Sequence, residues 1–349
     1  MSNKIKLGFV GVGFMGQVAH LKNYSELDDC EVVAIAEPRK KLAESVAAKY
    51  NVKNICSNHH ELISNYKLDA IVASQPFNYH AVLIPDILKA KIPVFTEKPI
   101  TVSIEAGEKL AKLAKENNTI YMVGYHKRSD PAMEYAKNLI DTWKKSGEFG
   151  KMSYVRITMP EGDWGNGIAG FIESDEAYPA NEKETPINYF NDKFNRDYVA
   201  FVNYYIHQIN AMRFLLGEDY KLTFADKSGV MLATESDNGV CGVIEMSPYH
   251  NTTDWQEALL VCFDYAYIKV ELPPPLAMQR AGVVTVMRDN KKEQAYITQP
   301  ILPNIHAMKN QAKNFIAAVK KEKPVTCNPE DAVKDLIIAK EYIKLKNNL

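Results

Sequence analysis

The chain has 349 residues, 46% of them hydrophobic, so its length predicts about two domains with a sizeable core in each. Its 42 basic and 43 acidic side chains give a net charge of −1, and no overall field therefore attracts nucleic acid or an anionic membrane. The composition argues against both kinds of partner unless the fold assembles a local basic patch.

The five cysteines are far apart and never form a C-x-x-C pair, so we expect reduced thiols and no metal site built on cysteine. No signal peptide is indicated, and no apolar run approaches the roughly 20 residues of a membrane-spanning helix. The sequence therefore predicts a cytoplasmic protein that is most simply an enzyme or a descendant of one.

The first third of the chain alternates short apolar runs with segments of helical period. The predicted strands are Ile5–Val10, Val32–Ala36, Ala70–Ala73, Val94–Thr96 and Ile120–Val123. Continuously apolar strands separated by helices indicate a parallel sheet covered on both faces. We expect a dinucleotide-binding domain of the Rossmann type over residues 1–125.

Near residue 150 the pattern changes to strands with one buried face and to turn-like links such as Asp237-Asn238-Gly239. The predicted strands are Met152–Met159, Gly229–Thr234, Val240–Met246, Ala258–Phe263, Tyr267–Leu272 and Val283–Met287. Helices are predicted over 306–321 and from Asn328 onward. Residues 126–349 are therefore expected to form an α+β domain with a mostly antiparallel open sheet. The long aperiodic loop 160–197 is expected to cover the cleft and contact substrate.

A glycine fingerprint follows the first strand. Its context is a strand, the glycines, a helix and then a second strand that ends in an acidic residue, which is the arrangement that binds a dinucleotide pyrophosphate at a helix N-terminus. Glu37 would accept hydrogen bonds from the adenosine ribose and repel a 2′-phosphate, which favours NAD over NADP, whereas Arg39 could stack on adenine, hold a 2′-phosphate or be solvated. The residues expected to bind the cofactor on this pattern are Gly11, Gly13, Phe14, Met15, Gly16, Glu37 and Arg39.

Further motifs carry a family resemblance. The segment Gln75–His80 follows the predicted strand Ala70–Ala73, Glu97-Lys98-Pro99 comes directly after the predicted strand Val94–Thr96, and an apolar helix carries His207. Together with the fingerprint and Glu37, in this order, they make the chain similar to the Gfo/Idh/MocA oxidoreductases, which include glucose-fructose oxidoreductase and inositol dehydrogenase. The resemblance covers essentially the whole chain and is strongest over residues 5–131.

The resemblance implies hydride transfer between a nicotinamide cofactor and a hydroxyl of a sugar, sugar derivative, cyclitol or other polyol. It implies that Lys98 lies between the nicotinamide and the substrate hydroxyl. It also assigns the cofactor loop to Gln75, Pro76, Asn78 and His80, and places Glu97 beside the nicotinamide end. Gln75 departs from the residues more common in the family.

The segment from Tyr198 to Leu216 is predicted to be one apolar helix that ends at Gly217. Asn203, His207 and Asn210 would form an uncharged polar stripe, typical of an enclosed pocket rather than of a solvated face. The resemblance implies an aspartate where this chain has Asn203, and an amide orients an imidazole without stabilising its charge. Three outcomes stay open: His207 acts with a weaker orienting residue, Lys98 is the base, or the oxidoreductase activity is lost.

Other side chains suit recognition of sugar hydroxyls. Tyr125, His126 and Arg128 follow the predicted strand Ile120–Val123, but 126–128 could equally be an exposed basic turn. Asp163 and Trp164 lie in the long loop, where Trp164 could merely anchor it. His59 and His60 have no third ligand nearby in sequence, so no metal is expected.

The leading functional hypothesis is an NAD-dependent polyol or sugar dehydrogenase with Lys98, His207 and Asn203 as its catalytic residues. Two alternatives are an NAD-assisted glycoside-cleaving enzyme and a non-catalytic dinucleotide-binding sensor. The family commonly pairs subunits through the open sheet face of the second domain, which implies a homodimer or homotetramer.

Overall fold

The computed structural model describes residues 4–178, 180, 182–246 and 249–349. Its strands are β1 Ile5–Val10, β2 Cys30–Ala36, β3 Asn54–Cys56, β4 Ala70–Ala73, β5 Val94–Glu97, β6 Tyr121–Gly124, β7 Met152–Thr158, β8 Tyr220–Ala225, β9 Met231–Ser236, β10 Cys241–Glu245, β11 Ala258–Phe263, β12 Ala266–Glu271, β13 Val283–Arg288 and β14 Tyr296–Thr298. Its α-helices are α1 Lys22–Ser25, α2 Lys40–Tyr50, α3 His59–Asn65, α4 His80–Lys89, α5 Ile104–Glu116, α6 Pro131–Ser146, α7 Asp192–Tyr204, α8 Ile206–Leu216, α9 Ala307–Val319 and α10 Pro329–Asn347.

The chain divides into two compact units. Unit 1 comprises Met1–Tyr125, Ile168–Asn188 and Met308–Leu336, and unit 2 comprises His126–Gly167, Tyr189–Ala307 and Ile337–Leu349. Both units therefore draw on more than one stretch of chain, because part of the long loop and the segment around α9 pack with the first. A single boundary after residue 125 stays a prediction.

The described part of unit 1 holds a six-stranded parallel sheet in the order β3-β2-β1-β4-β5-β6. Strand β4 is buried along its whole length, as expected for a strand whose two faces are both covered. Phe9, Phe95 and Phe315 belong to one core cluster, so α9 completes the packing against the sheet. The crossover direction reverses between β1 and β4, which makes the carboxyl ends of these two strands the topological switch point.

The described part of unit 2 holds an eight-stranded sheet in the order β14-β13-β12-β11-β7-β10-β9-β8. Its pairs are antiparallel except for β7 and β10, which run parallel. Residues along β11 alternate between buried and partly exposed, so one sheet face is covered and the other is open. The predicted fold class is confirmed.

The strands β3, β8 and β14 and the helix α6 were not predicted from the sequence, and one predicted helix is divided in two. β3 and β14 have three residues each, too few for a period to be read, and β8 begins only three residues after the glycine that ends α8. The prediction of one uninterrupted helix over 198–216 is wrong, because Tyr205 takes the bridge conformation (φ −88°, ψ −1°) and separates α7 from α8. Among the described residues, no helix is both long and apolar enough to cross a membrane.

Candidate functional site

The glycine fingerprint of unit 1 forms a turn at the switch point. Gly11 has φ +82°, and a Cβ there would lie 3.1 Å from the backbone nitrogen of Gln75. A Cβ on Gly16 would lie 2.7 Å from the carbonyl oxygen of Gly11, which accepts a hydrogen bond from the Ser74 hydroxyl at 2.7 Å. Only glycine fits at these two positions, so the backbone of the turn is open to close approach by a ligand. Phe14 and Met15, half-buried, begin a helical segment that continues through the π-helical residues Gly16–Leu21 into α1.

The acidic residue after β2 is buried and paired. Glu37 accepts the backbone N–H of Val12 at 3.1 Å through Oε2, so the carboxylate touches the glycine turn. Arg39 donates to both carboxylate oxygens, from Nε at 2.7 Å and from Nη2 at 3.0 Å. The Glu37 carboxylate, which is expected to recognise the ribose, is thus already paired with the Arg39 guanidinium.

The loop after β4 brings amide groups to the same end of the sheet. Both polar side-chain atoms of Gln75 and the Oδ1 of Asn78 are buried and have no hydrogen-bond partner among the described residues. Such atoms fit a ligand that offers both donors and acceptors, as a dinucleotide does. Pro76 is exposed at the start of the loop.

His80 follows this loop and begins α4. It is fully buried, and its Nδ1–H donates to the carbonyl oxygen of Ile100 at 3.0 Å. Burial lowers the pKa of His80 to about 4, so its ring is neutral at pH 7. Its place in the structure is under the cofactor loop rather than on its surface.

The Glu-Lys-Pro triplet lies at the end of β5. Burial by itself would raise the pKa of Glu97, but the hydrogen bond from His20 at 2.6 Å and the electrostatic interactions with His20 and Lys98 together outweigh it and hold that pKa below its usual value. The backbone N–H of Lys98 donates to the other Glu97 oxygen at 3.2 Å, and the Lys98 side chain is half-buried. His20 was not identified from sequence, because a histidine one turn into a helix carries no signal of a partner 77 residues away.

In unit 2, three successive basic residues are buried in a 3₁₀ turn. His126, Lys127 and Arg128 are each at most 6% exposed, which excludes the alternative of an exposed basic turn. The His126 ring meets the His207 ring edge to face at 4.6 Å, and Arg128 Nε donates to Asn210 Oδ1 at 2.6 Å. The expected residues His126, Arg128 and His207 are therefore neighbours.

Lys127 forms a buried ion pair with Glu257 that sequence analysis missed. Gln208 donates to the other oxygen of Glu257 at 2.8 Å, which anchors the carboxylate to α8. Because 130 residues separate the two charges along the chain, no spacing rule could have found this pair. It fixes the 3₁₀ turn, and hence His126, against α8.

The polar stripe is broken by the interruption between α7 and α8. Asn203 is exposed on α7, His207 is half-buried on α8, and Asn210 is buried. The three therefore do not share one continuous helix face. The orienting role of Asn203 stays a prediction.

The two loop residues expected to bind substrate differ in what they do locally. Asp163 Oδ1 accepts the backbone N–H groups of Gly165 and Asn166, both at 3.0 Å, so its carboxylate forms an Asx turn. Trp164 is 42% exposed and its carbonyl oxygen accepts from Leu276. Pro179 and Asn181 of the loop lie outside the described residues.

In the folded chain, a third side chain that could bind a metal ion lies close to His59 and His60. Asp86 of α4 lies 3.2 Å from His59 Nε2 and 3.8 Å from His60 Nε2. The expectation that no third ligand is near holds along the sequence and fails in the folded unit.

Comparison with known proteins shows which family these features resemble. Residues 5–125 match the GFO_IDH_MocA model, described as an oxidoreductase family with an NAD-binding Rossmann fold. The chain is 25% identical over 224 residues to myo-inositol 2-dehydrogenase of Thermotoga maritima, covering 64% of this chain and 58% of that protein. It is 24% identical over 262 residues to scyllo-inositol 2-dehydrogenase (NAD(+)) of Bacillus subtilis, covering 71% and 68%.

Solved structures share the fold across nearly the whole chain. Levoglucosan dehydrogenase in complex with NADH and levoglucosan superposes with a TM-score of 0.74 at 17% identity, covering 99% of this chain and 98% of that one. Scyllo-inositol dehydrogenase from Lactobacillus casei, with NAD(H) and scyllo-inositol, gives 0.68 at 17% identity, covering 97% and 95%. At these identities the likeness establishes the fold alone.

Proposed function

We propose that this chain, whose residues 5–125 match the model of the Gfo/Idh/MocA oxidoreductase family, transfers hydride between NAD and a hydroxyl-bearing carbon of a sugar, sugar derivative or cyclitol. The observation that carries the proposal is the switch-point turn, where Gly11, Gly16 and the buried Glu37 meet. The related inositol dehydrogenases, whose matched region spans 58% and 68% of their length, support the substrate class.

On this proposal, different residues of unit 1 bind different parts of the cofactor. Gly11 and Gly16 let the pyrophosphate approach the backbone, Glu37 accepts from the ribose, and Gln75 and Asn78 supply amides to its polar groups. NAD, when bound, accepts the hydride at its nicotinamide ring. Glu37 would repel a 2′-phosphate, so NAD is favoured over NADP.

Oxidation of an alcohol requires a base at the hydroxyl as hydride leaves. We assign Lys98 to positioning and polarising the substrate oxygen, and His207 to taking its proton, with Asn203 orienting the ring. His126 and Arg128, which contact His207 and Asn210, would bind other hydroxyls together with Asp163 and Trp164. Only the neutral form of an imidazole can accept the proton.

The test is a panel of cyclitols, sugars and glycosides with NAD, in which NADH formation and sugar release are followed together. The proposal predicts NADH formation with at least one cyclitol or sugar and no sugar release. Sugar release without net NADH would instead establish the glycoside-cleaving alternative. Cofactor binding with neither reaction would establish the sensor.

We also infer that two copies associate through the open sheet face of unit 2. The strand register aligns an apolar row across five strands on this face: Cys241, Tyr154, Cys262, Tyr267 and Met287. Light scattering should show a dimer or tetramer, and Cys262→Arg should dissociate it, whereas Ile301→Arg, at an exposed position outside the strands, should not. A monomeric wild-type protein at micromolar concentration would refute this inference.

A further inference from the structure

The ribose-binding carboxylate of Glu37 is saturated by the chain itself. Oε1 accepts from the backbone N–H of Arg39 at 3.2 Å and from its Nε at 2.7 Å, and Oε2 accepts from Val12 at 3.1 Å and from Arg39 Nη2 at 3.0 Å. A carboxylate offers about four lone-pair positions, so these four donors fill it. The two guanidinium donors take the places that two ribose hydroxyls would need.

Arg39 is held in this position by a residue that is distant in sequence. The Arg39 guanidinium carbon lies 4.3 Å from the centroid of the Tyr178 ring. A Cβ built on Gly13 would lie 3.4 Å from Arg39 Nη2 and 3.5 Å from the Tyr178 hydroxyl. Both side chains therefore lie against the glycine turn, where a dinucleotide would approach.

Tyr178 belongs to a segment, here called the strap (residues 168–188), that is anchored to unit 1 at both ends. Near its start, Ile172 and the Gln17 amide exchange hydrogen bonds of 3.0 and 2.8 Å. Near its end, Glu184 accepts the backbone N–H groups of Val102 and Ser103 at 2.9 and 2.8 Å. The strap thus holds its place through contacts within unit 1.

A third anchor lies directly beside Arg39. The first turn of α2, which begins at the next residue, contains no acidic side chain of its own. Glu176 of the strap accepts from the backbone N–H groups of Lys41 and Leu42 at 3.1 and 2.9 Å, so it supplies the anion that a helix N-terminus favours. This contact couples the strap to the backbone that carries Arg39.

We propose that Arg39 is a specificity-determining latch: it occupies the ribose-binding positions of Glu37, the strap holds it there through Tyr178, and the cofactor binds by exchanging places with it. The inference rests on the proposed binding of NAD. A displaced Arg39 loses its partner when NADH binds, whereas a 2′-phosphate would offer the guanidinium a new one. The latch therefore weakens NADH binding more than NADPH binding. It lowers the ratio of NADH affinity to NADPH affinity.

Three variants test the latch through the rate and affinity of cofactor binding. Binding is monitored by the fluorescence of the reduced cofactor after rapid mixing. Tyr178→Ala removes the ring that holds Arg39, Arg39→Met removes the guanidinium, and Glu176→Gln loosens the strap while leaving Glu37 and Arg39 paired. Tyr265→Ala is the matched control, because Tyr265 is an exposed tyrosine of unit 2 with a lysine, Lys291, 3.4 Å from its ring centroid.

If the latch is open in about a tenth of wild-type molecules, Tyr178→Ala and Arg39→Met should bind NADH about tenfold more tightly, with Glu176→Gln changing in the same direction. Arg39→Met should not tighten NADPH binding, so the ratio of NADH to NADPH affinity rises. Tyr265→Ala should match the wild type. Because Arg39→Met leaves a buried carboxylate without its counter-charge, the two strap variants keep the test decisive if that variant fails to fold.

Weaker or unchanged NADH binding in the strap variants would overturn the latch, since the strap would then support the bound cofactor or be indifferent to it. Normal NADH binding by the wild type would at the same time leave the proposed function standing. Absence of NADH binding by every form, the wild type included, would instead overturn the proposed function and the latch with it.

Discussion

The candidate sites of the two units consist of different chemical groups. Unit 1 presents mainly backbone, with a glycine turn that only residues lacking Cβ can form and amides at the carboxyl ends of its strands. Unit 2 presents charged and aromatic side chains that hold one another, such as Lys127 with Glu257 and His126 with His207. We infer that side-chain substitutions in unit 1 change binding or turnover with little effect on folding, whereas those in unit 2 also change stability.

The sharpest test of this contrast in unit 1 is Lys98→Met. Because Lys98 is half-buried at the end of β5 and is assigned to the substrate oxygen, its loss should reduce turnover by about 10³-fold. NADH affinity and the urea midpoint should stay at wild-type values. Lys89→Met, at an exposed lysine of α4, is the control and should retain full turnover. A Lys98→Met enzyme with normal turnover would remove Lys98 from the chemistry.

In unit 2 the corresponding test is Lys127→Met, which leaves the buried Glu257 carboxylate without its counter-charge. Breaking a buried ion pair in this way costs about 3 kcal/mol or more. All three tryptophans of the sequence, Trp143, Trp164 and Trp255, lie in unit 2, so tryptophan fluorescence, excited at a wavelength that tyrosine does not absorb, reports this unit alone during urea unfolding.

The double variant Lys127→Met with Glu257→Leu removes both charges and should recover most of the lost stability. If Lys127→Met unfolds at the wild-type urea concentration, the ion pair does not support unit 2 and the contrast between the units fails.

His207→Ala tests whether the polar cluster of unit 2 takes part in chemistry. Loss of a general base reduces turnover by about 10²-fold or more, and the pH profile should lose its acidic limb. Asn203→Asp should shift the same profile, because a carboxylate stabilises the imidazolium where an amide does not. Near-normal turnover in His207→Ala, with Lys98→Met inactive, would make Lys98 the base.

His80 is the place in unit 1 where a side chain is expected to carry stability. Its folded pKa of about 4 lies below the ordinary 6.5, so its contribution is complete above pH 6.5 and is lost as pH falls toward 4. Between pH 7 and 5 the free energy of unfolding should fall by about 2 kcal/mol on this account. His80→Gln should show a correspondingly flatter dependence in urea unfolding followed by circular dichroism, whereas a variant as steep as the wild type would assign the loss to another group.

The smallest expected effect comes from a pair of glycine substitutions that separates steric crowding in the glycine turn from backbone strain. Gly11 and Gly239 have φ values of +82° and +80°, but only Gly11 has neighbours within 4 Å of an added Cβ. Both alanine variants therefore meet the same backbone strain, and Gly11→Ala should weaken NADH binding by about tenfold more than Gly239→Ala. Equal affinities would mean that the turn does not contact the cofactor.

The contrast between the units also explains what the sequence could predict. The strand β1 and the glycine turn of unit 1 follow from local periodicity and from backbone geometry that only glycine permits, so Ile5–Val10 and Gly11 were correctly placed. The partners of Glu97 and Lys127 come from 77 and 130 residues away, and no local pattern encodes them. The break at Tyr205 was missed because the apolar period continues through it.

Transfer of deuterium from substrate to cofactor distinguishes direct hydride transfer from every other route to product. A cyclitol or sugar active in the panel, deuterated at the carbon that is oxidised, is incubated with NAD, and the reduced cofactor is analysed by mass spectrometry. We expect deuterium on the nicotinamide ring with the wild type, and its transfer slowed by about 10³-fold with Lys98→Met at equal cofactor occupancy. Product formation with an unlabelled nicotinamide would contradict direct hydride transfer and with it the assigned function.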